Sequence, residues 1–350
     1  MHALEAIVRP AISPWDLLGL ELHLLEAVAA GRSEPVLVLY ATTGCAVSIG
    51  RYHLYGGAPD HDGIVALRRL TGGRAVGAGD GWLGLALVLP KCGALLPKRD
   101  ANLKPEQVMN RYARGLLTGL RALGLECFYP GRDAITADRR EVAMCTFETA
   151  DSGALLFEAS IAVNRGMEEL SRDLDRLDPG GAVSSVVHSR ETSSTLGREL
   201  RRKIGLAEVA DAILRGYRET LGELRERELA HEEIRHAVEG GKALQSIHWL
   251  RRVAAHPSEY NRSGRMMAQL GQIEAWLGVS ADNRIERLML GGDLIANSSG
   301  IASFEAALEG QTHDLVAVSN SVARVFSTHS NFILGLGELS NLVRLVVEAR

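Results

Sequence analysis

Residues 65–77, VALRRLTGGRAVG, restrict the fold more than any other part of the chain. They join one apolar, strand-like run to a second, GWLGLALVLP, through a loop that contains Gly72 and Gly73. Glycine lets the backbone come close to a ligand because it has no Cβ atom. Arg68, Arg69 and Arg74 flank the glycines and supply planar, permanently charged donors. Backbone N–H groups and guanidinium groups together predict a site for a carboxylate or a phosphate, which suits the activation of an acid by a nucleotide.

Length and composition indicate a protein with a full hydrophobic core. The chain has 350 residues, of which 46% are hydrophobic, so we expect more than one domain. A net charge of −4 gives no overall attraction to nucleic acid or an anionic membrane. With no signal peptide and no apolar run of roughly 20 residues, a soluble, cytoplasmic protein is expected. The cysteines lack the spacing of a disulfide framework or a zinc site: Cys45, Cys92, Cys127 and Cys145.

Helical and strand-like patterns alternate along the first 165 residues. Ser13, Pro14 and Asp16 predict the start of a helix, and Gly31 predicts its end. A second helix is predicted over residues 105–123. Strands are predicted in PVLVLYAT, CAVSIG, GIVALRRL, WLGLALVLP and ALLFEASIAV, and a hairpin in DAITADRREVAMCTF.

The second half of the chain changes character twice. Residues 190–250 are rich in charge and have helical periodicity, which is typical of helices with a solvated face. After about residue 255, short strands are predicted in RMMAQLGQIEAWLGV and NRIERLMLGGDLIA, and a helix in SGIASFEAALEG. We therefore expect a large domain over residues 1–250 and a small α/β domain over residues 251–350.

Two motif-like patterns lack the context that their chemistry requires. Gly79, Gly81 and Gly84 have the spacing of a dinucleotide-binding loop, but the next residues predict a strand where that motif opens a helix. HEEIRH resembles a zinc-protease helix, yet His231 and His236 are five positions apart and diverge by roughly 140° around a helix. We predict neither a Rossmann-type site nor a metal site.

Three blocks in order resemble the lipoate–protein ligases and their octanoyltransferase relatives, within the biotin/lipoate ligase superfamily. CAVSIGRYH, residues 45–53, is similar to a family strand that ends in IGR. RRLTGGRAVG, residues 68–77, is similar to the family's RRxSGGGAV ligand loop. GRDAITADRREVAM, residues 131–144, aligns without a gap with the family's GRNDLxxxGKKISG. LFEASIAVN, residues 156–164, takes the place of the HGTLLLN strand, and residues 284–310 resemble the small C-terminal accessory domain.

This resemblance implies an α+β fold, with a biotin/lipoate ligase-like mixed sheet, flanking helices and a small C-terminal α/β accessory domain. It implies an enzyme that joins lipoate or octanoate to AMP, using ATP and Mg²⁺, and transfers the acyl group to a lysine. That lysine would belong to a lipoyl carrier domain of a 2-oxoacid dehydrogenase or to the H-type protein of the glycine-cleavage system. By position, the acyl-adenylate site would comprise Gly50, Arg51, Arg68, Arg69, Thr71, Gly72, Gly73, Arg74 and Ala75.

The chain departs from the family pattern at the expected active site. The family's central lysine, which contacts the activated carbonyl and the α-phosphate, aligns with Glu141. An anion beside a phosphate reverses a favourable interaction, so adenylation should fail unless another cation substitutes. Lys91 and Lys98 are candidates, whereas Arg140 would point to the opposite face of its strand.

Further departures affect four motifs of the family. Asp133–Ala134 stand in place of the family's asparagine–aspartate pair, and Arg74 stands in place of its third loop glycine. Ala78–Gly79 replace the histidine–aspartate pair, and Glu158–Ala159 replace the histidine–glycine pair. So many differences at matching points indicate either a changed ligand or a loss of catalysis.

Cys127 offers a second catalytic hypothesis. ECFYPG, residues 126–131, resembles the setting of the cysteine nucleophile in one octanoyltransferase branch. A thiolate needs a pKa lowered by nearby positive charge, for which Arg132 is a candidate. Cysteine is otherwise a small buried hydrophobe, which is the interpretation favoured for Cys145 within its strand.

Three functions therefore stay open. The first is a ligase that works through an acyl-adenylate, and the second is an ATP-independent acyltransferase that uses Cys127. The third is a non-catalytic homologue that binds an acyl group or a carrier domain, which Glu141 favours. Nucleic-acid binding is not expected, because the arginines around residues 198–202 are balanced by nearby glutamates.

Overall fold

The computed structural model describes residues 4–97, 102–179, 191–251 and 257–350. Lys98, one of the candidate substitutes for the family lysine, lies outside the described residues. In these ranges no helix combines the length and the apolar character that crossing a bilayer requires.

The strands belong to four sheets. In chain order they are β1 (Leu4–Ile12), β2 (Val36–Thr42), β3 (Cys45–Ile49), β4 (Asp60–His61), β5 (Ile64–Arg68), β6 (Val76–Gly79), β7 (Trp82–Leu89), β8 (Cys127–Phe128), β9 (Ala134–Ala137), β10 (Arg140–Thr149), β11 (Leu155–Ala162), β12 (Leu224–Glu226), β13 (Arg262–Met267), β14 (Gln272–Val279), β15 (Ile285–Gly292), β16 (Ile295–Ala296) and β17 (Ile333–Leu334).

The helices lie on both faces of the large sheet, against one of the smaller sheets (α3 and α7) and in the C-terminal part. They are α1 (Pro14–Ala29), α2 (Pro105–Ala122), α3 (Glu168–Leu177), α4 (Leu196–Glu199), α5 (Leu206–Leu221), α6 (His231–Leu244), α7 (Ile247–Leu250), α8 (Ser298–Leu308), α9 (Leu315–Phe326) and α10 (Leu339–Val347). A short 3₁₀ helix spans Pro257–Glu259.

An eight-stranded mixed sheet forms the centre of the molecule, with the order β12-β1-β2-β7-β11-β10-β9-β8. β1 is parallel to both of its neighbours, and the other pairings are antiparallel. α2 and α5 cover one face, where Leu37 and Leu87 point. α1 and α6 cover the other face, where Val38 and Val88 point. Burial on both faces explains the continuous apolar runs in the sequence and confirms the predicted mixed sheet with flanking helices.

The predicted helix and hairpin signals are confirmed in detail. The Ser13 side chain accepts a hydrogen bond of 3.0 Å from the N–H of Asp16 and caps α1. β9 and β10 form the predicted hairpin, in which Asp138 and Arg139 adopt positive φ angles of 45° and 63°. A four-stranded sheet, in the order β4-β5-β3-β6, carries the diglycine loop between β5 and β6.

The helical prediction over residues 190–250 is wrong at one place. Leu224–Glu226 form β12, which pairs in parallel with β1 at the edge of the large sheet. Leu224 is buried there in the core, and the unpaired backbone groups of the β1 edge gain partners. Tertiary pairing thus overrides the local helical pattern.

α1 and α6 cross at a distance that only small residues allow. A Cβ atom added to Gly19 would lie 1.9 Å from the carbonyl oxygen of Ala237, and one added to Gly241 would lie 2.5 Å from that of Trp15. Backbone therefore packs directly on backbone at this crossing.

The C-terminal residues 257–350 have a hydrophobic core of their own. The three-stranded sheet β13-β14-β15 packs against α8, α9 and α10, and its buried side chains include Leu290, Phe304, Val322 and Leu345. Phe332 stacks on Phe147 of the large sheet, with ring centres 4.9 Å apart. This part of the chain therefore also closes one side of the large sheet, next to the diglycine loop.

Candidate functional site

A narrow cavity of about 50 Å³ lies between α1, the diglycine loop and the large sheet. Of the nine residues expected at an acyl-adenylate site, Arg69, Gly73 and Arg74 line it. The rest of the wall is mainly apolar, with titratable groups at intervals. It includes Leu17, Leu18, Glu21, Tyr40, Leu67, Val76, Trp82, Asp133, Met144, Cys145 and Glu158.

The glycines of the loop allow backbone segments to approach closely. Gly73 has a φ of +85°, which favours glycine, and its N–H donates to the carbonyl of Leu294 at 2.6 Å. A Cβ atom on Gly72 would lie 2.2 Å from the same carbonyl oxygen, and one on Gly50 would lie 2.1 Å from that of Gly73. The glycines thus fasten the loop to the C-terminal part of the chain, and the Gly73 N–H has a protein partner.

Arg68 acts on backbone and does not line the cavity. Its buried guanidinium donates to the carbonyl oxygens of Gly50 and Arg51 at 2.9 and 2.8 Å, and to those of Trp249 and Leu250 at 2.9 and 2.7 Å. Arg51 lies over the Trp249 ring, 5.1 Å from its centre. These two arginines hold α7 against the loop, which is a structural task.

Arg69 lies on the cavity wall but directs most of its donors elsewhere. Nε donates to the hydroxyl of Thr71 at 3.1 Å, Nη1 to the carbonyl of Ser48 at 2.9 Å, and Nη2 to the carbonyls of Gly72 and Arg74. Burial lowers the pKa of Arg69, although the nearby carboxylate of Glu158 opposes that shift.

Arg74 forms a buried charge cluster with two carboxylates. Nε and Nη2 donate to the two oxygens of Asp133, both at 2.8 Å. Nη2 also donates to Glu141 at 2.7 Å, and Nη1 donates to it at 3.4 Å. Burial alone would lower the pKa of Arg74, but the charge of Asp133, with that of Glu141, raises it overall. The side chain of Asp133 is 2% exposed and that of Glu141 is 20% exposed.

Glu141, which the sequence comparison predicts to stand at the position of the family lysine, is an anion, and Arg74 of the loop supplies a cation beside it. Arg74, predicted to stand in place of the third loop glycine, reaches Glu141 of β10 from the loop between β5 and β6. Lys91 is exposed and does not line the cavity. Arg140 pairs with Glu199 at 2.9 Å and with Asp138 at 3.2 Å, away from the cavity.

Two further carboxyl groups meet in the interior of the cavity wall. Glu21 of α1 and Glu158 of β11 are both buried, and the Thr71 hydroxyl donates to Glu158. Burial, followed by the charge of Glu158, raises the pKa of Glu21 well above its usual range. Burial also raises the pKa values of Glu158 and of the neighbouring Tyr40. Burial and the charge of Glu158 therefore both favour the protonated form of Glu21, which shares hydrogen bonds with Glu158 and Tyr40.

Of the remaining candidates, Ala75 and Cys127 lie off the cavity, whereas Cys145 lines it. Ala75 packs in the core of the four-stranded sheet. Cys127 is buried in the core of the large sheet, and burial raises its pKa to about 11. Arg121 donates to the Cys127 carbonyl at 2.7 Å, and its charge and hydrogen bonding oppose the rise in the thiol pKa without overcoming burial. Cys145 does line the cavity, but burial and the charge of Asp133 raise its pKa. Both surroundings favour the thiol over the nucleophilic thiolate.

Sequence reasoning missed Glu21, Tyr40 and Trp82. A signal for Glu21 was present, because it falls four residues after Leu17 on the apolar face of α1, where a carboxylate is unusual. Tyr40 lies within β2 and Trp82 begins β7, and neither gave a comparable signal.

A second, larger cavity of about 510 Å³ separates α2 from the C-terminal part of the chain. Asp133 lies on the walls of both cavities, and Lys104, Tyr129 and Arg132 line the second. The cluster around Arg74 thus stands between the two spaces.

Comparison with known proteins gives a consistent picture. Residues 13–218 match the family model described as the lipoyl protein ligase A/B catalytic domain. The octanoyltransferase LipM of Symbiobacterium thermophilum is 30% identical over 228 residues, covering 56% of this chain and 79% of the relative.

Solved structures support the fold. Plasmodium falciparum LipL1 in complex with lipoate has a TM-score of 0.69 at 15% identity, covering 99% of this chain and 98% of that one. A lipoate–protein ligase A bound with ATP has a TM-score of 0.56 at 19% identity, covering 72% and 99%. A bipartite lipoate protein ligase of Thermoplasma acidophilum, described with its E2 lipoyl domain, has a TM-score of 0.56 at 20% identity. That match covers 71% of this chain and 96% of the other.

Proposed function

The chain belongs to the lipoyl protein ligase A/B catalytic-domain family, and from that premise we propose that it binds a lipoyl carrier domain without activating a free acid with ATP. The carrier would be a lipoyl domain of a 2-oxoacid dehydrogenase or an H-type protein of glycine cleavage. We place this function in the cytoplasm, because all four cysteines carry unpaired thiols.

One observation carries the proposal: Arg74 is bound to both Asp133 and Glu141 where the family pattern has a glycine and a lysine. The donors of Arg74 are directed to these carboxylates, and each carboxylate would repel a phosphate. A phosphate bound here would find the Arg74 guanidinium already paired and would lie next to the two carboxylates, Asp133 and Glu141. In a buried site this costs several kcal/mol of binding free energy. These residues do not fit a nucleotide α-phosphate or its activated ester.

The size of the cavity points the same way. One water needs at least roughly 10–15 Å³, so about 50 Å³ is room for only a few water-sized groups. Octanoic acid and lipoic acid contain at least ten non-hydrogen atoms. Neither would enter without displacing Arg74 or the walls around it.

A transferase that uses Cys127 receives little support from the geometry. The thiol is buried away from the cavity, and its raised pKa disfavours the thiolate. Arg132, the candidate activating group, lies on the wall of the second cavity.

Family membership supports the choice of partner. The octanoyltransferase relative and the Thermoplasma ligase, described with its E2 lipoyl domain, are the basis for that choice. Recognition of a carrier domain requires a complementary surface, whereas adenylation requires a cation that is available to the phosphate. In this chain the Arg74 cation is bound to Asp133 and Glu141. A homologue can therefore lose the second property and keep the first.

The decisive assay is acid-dependent exchange of pyrophosphate into ATP. We expect no exchange by the native protein with acids of six to ten carbons. Glu141→Lys alone should not restore it, because the new cation would meet Arg74. Arg74→Gly combined with Glu141→Lys should give measurable exchange. Exchange by the native protein with any of these acids would overturn the proposal.

Carrier binding is measured separately by calorimetry with unmodified lipoyl domains and H-type protein. Saturable binding without turnover is expected for at least one of them. Failure to bind any carrier would also contradict the proposal.

A further inference from the structure

We infer that three exposed cations, Arg139, Arg201 and Lys203, form a docking surface for the acidic face of a protein partner. We call these three residues the basic surface. None of them lines the cavities described above, so the basic surface is separate from the diglycine loop and its charge cluster. The inference deepens the proposed function: the choice of a lipoyl carrier domain as the partner rests on that function, whereas the positive surface does not.

The tip of the β9–β10 hairpin lies next to the end of α4. Residues 192–194, which lead into α4, run beside the start of β10 and are joined to it by two backbone hydrogen bonds of 2.9 Å. The side chain of Arg140 pairs with Glu199, the last residue of α4, at 2.9 Å. Arg139 directly precedes this ion pair in the chain, and Arg201 follows it by two residues. The two arginines therefore belong to one region of the molecular surface.

Arg139 has a backbone conformation that favours glycine. It is the second residue of the two-residue turn between β9 and β10, and its φ is +63°. A hairpin turn in which both residues have positive φ angles most often has glycine at this point. The Arg139 side chain is exposed and has no ion pair or hydrogen bond with another described residue. No local contact therefore offsets the conformational cost of an arginine in this turn.

Arg201 occupies a second position of this kind. Its N–H donates to the Arg198 carbonyl at 3.1 Å, and the N–H of Arg202 donates to the Gly197 carbonyl at 3.2 Å. These two bonds end α4 in a Schellman motif, in which the residue with positive φ is usually glycine. Arg201 has a φ of +52°, and its exposed side chain has no partner among the described residues. Two arginines in glycine positions within one region indicate that their side chains are kept for a function.

The unpaired charge in this region is positive. Three neighbouring arginines already have carboxylate partners at 2.5–2.9 Å: Arg140 with Glu199, Arg198 with Glu168 and Arg202 with Glu208. Arg139, Arg201 and Lys203 are exposed and have no ion pair with any residue that the structure describes. A guanidinium group binds a carboxylate through two parallel hydrogen bonds, so exposed carboxylates of a partner would match these free cations.

The paired acids of the region decide the class of partner. Asp138, Glu168, Glu199 and Glu208 lie beside the arginines with which they pair. A nucleic-acid strand carries a continuous row of phosphates, some of which would meet these carboxylates. The carboxylates of a protein are separate groups, and each of them can pair with one exposed cation. The net charge of −4 gives no overall attraction to nucleic acid either, so a protein is the favoured partner.

Glycine substitutions test the basic surface without damaging the fold. Arg139→Gly combined with Arg201→Gly removes two charges, and glycine adopts both positive φ angles without strain, so the urea midpoint should stay the same or rise. In calorimetry with the unmodified carrier domains, this double variant of the whole chain should bind at least about fivefold more weakly at about 50 mM salt. Arg139→Lys combined with Arg201→Lys keeps the charge and should retain most of the affinity. Arg32→Gly, which removes an exposed cation after α1, is the matched control and should change the affinity by less than about twofold.

The dependence on salt gives a second measure of the same contacts. Raising the salt from about 50 to about 300 mM should weaken carrier binding by the native chain at least about fivefold. The double glycine variant should lose most of this dependence, because fewer charges then contribute to binding. Carrier binding that the double glycine variant leaves unchanged would overturn the inference, while the proposed function would stand.

A fluorescently labelled hexaglutamate peptide tests the basic surface without any carrier domain. In anisotropy measurements at low salt, the native chain should bind the peptide, and the double glycine variant should bind it at least about fivefold more weakly. If this result is obtained while no carrier domain binds, the inference stands and only the proposed function is contradicted. If neither the peptide nor any carrier domain binds, both are overturned. Tighter binding of a short oligothymidylate than of hexaglutamate would also overturn the inference, because the partner would then be a nucleic acid.

Discussion

Replacing Arg74 tests the charge cluster on which the proposed loss of adenylation depends. Arg74→Met keeps much of the side-chain volume and removes the guanidinium from between Asp133 and Glu141. Asp133 is 2% exposed and is left as a buried carboxylate without its cation. Breaking one partner out of a buried ion pair costs about 3–5 kcal/mol, so the free energy of unfolding should fall by that amount. The exposed Arg114→Met on α2 should change it by less than about 0.5 kcal/mol.

A double-mutant cycle divides this cost between the two carboxylates. Asp133→Asn in the Arg74→Met background should recover most of the loss, because the buried charge is then gone. The coupling of Arg74 to Asp133 should reach about 2–3 kcal/mol, and that to Glu141, which is 20% exposed, about 1 kcal/mol or less. Urea denaturation followed by tryptophan fluorescence measures each step. A cost below about 1 kcal/mol for Arg74→Met would refute the view that this cluster is a strong, fixed part of the structure.

Three other predictions follow from buried groups. Burial raises the pKa of the Glu148 carboxyl group from 4.5 to about 7. Its protonation therefore stabilises the folded state fully below pH 4.5, and this contribution of about 3 kcal/mol is lost as the pH rises through 7. Glu148→Gln should remove this pH dependence, as measured by urea titrations at several pH values, and should be more stable than the native protein at pH 8. Cys127, with a pKa raised to about 11 by burial, should react with iodoacetamide in the native protein more slowly than the half-buried Cys45, as peptide mapping would show, and equal rates would contradict the structure. Gly84→Ala places a Cβ atom 2.0 Å from the Tyr40 ring and should destabilise the protein by about 1–3 kcal/mol, whereas an unchanged urea midpoint would mean that the ring moves freely.

Much of the fold follows from local patterns that act over a few residues. The cap at Ser13, the turn at Asp138 and the apolar strands are such patterns, and each has the predicted place in the structure. β12 escapes this reasoning, because its three residues become a strand only by pairing with β1, more than 200 positions earlier. Pairings of this kind carry no local signal in a single sequence.

The candidate site divides in the same way. The diglycine loop and its arginines were identified as a unit, but their tasks depend on partners distant in the chain. Arg68 donates hydrogen bonds to backbone carbonyl groups about 180 residues later in the chain, and the hydrogen bond from Arg74 to Glu141 joins residues 67 positions apart. The alignment predicted a missing cation at Glu141, and the structure places one there from a position that the sequence had marked as a separate departure. The guanidinium of a loop residue and the carboxylate of a strand residue thus form one ion pair at these two positions.

The glycine contact between α1 and α6 has a mechanical consequence. Since backbone rests on backbone at Gly19 and Gly241, no side chain lies between the two helices there to absorb a displacement. Glu21 is two residues along from this contact and is carried by the same turn of helix. The close contact of α1 with α6 and the cavity wall at Glu21 are therefore parts of one stretch of helix.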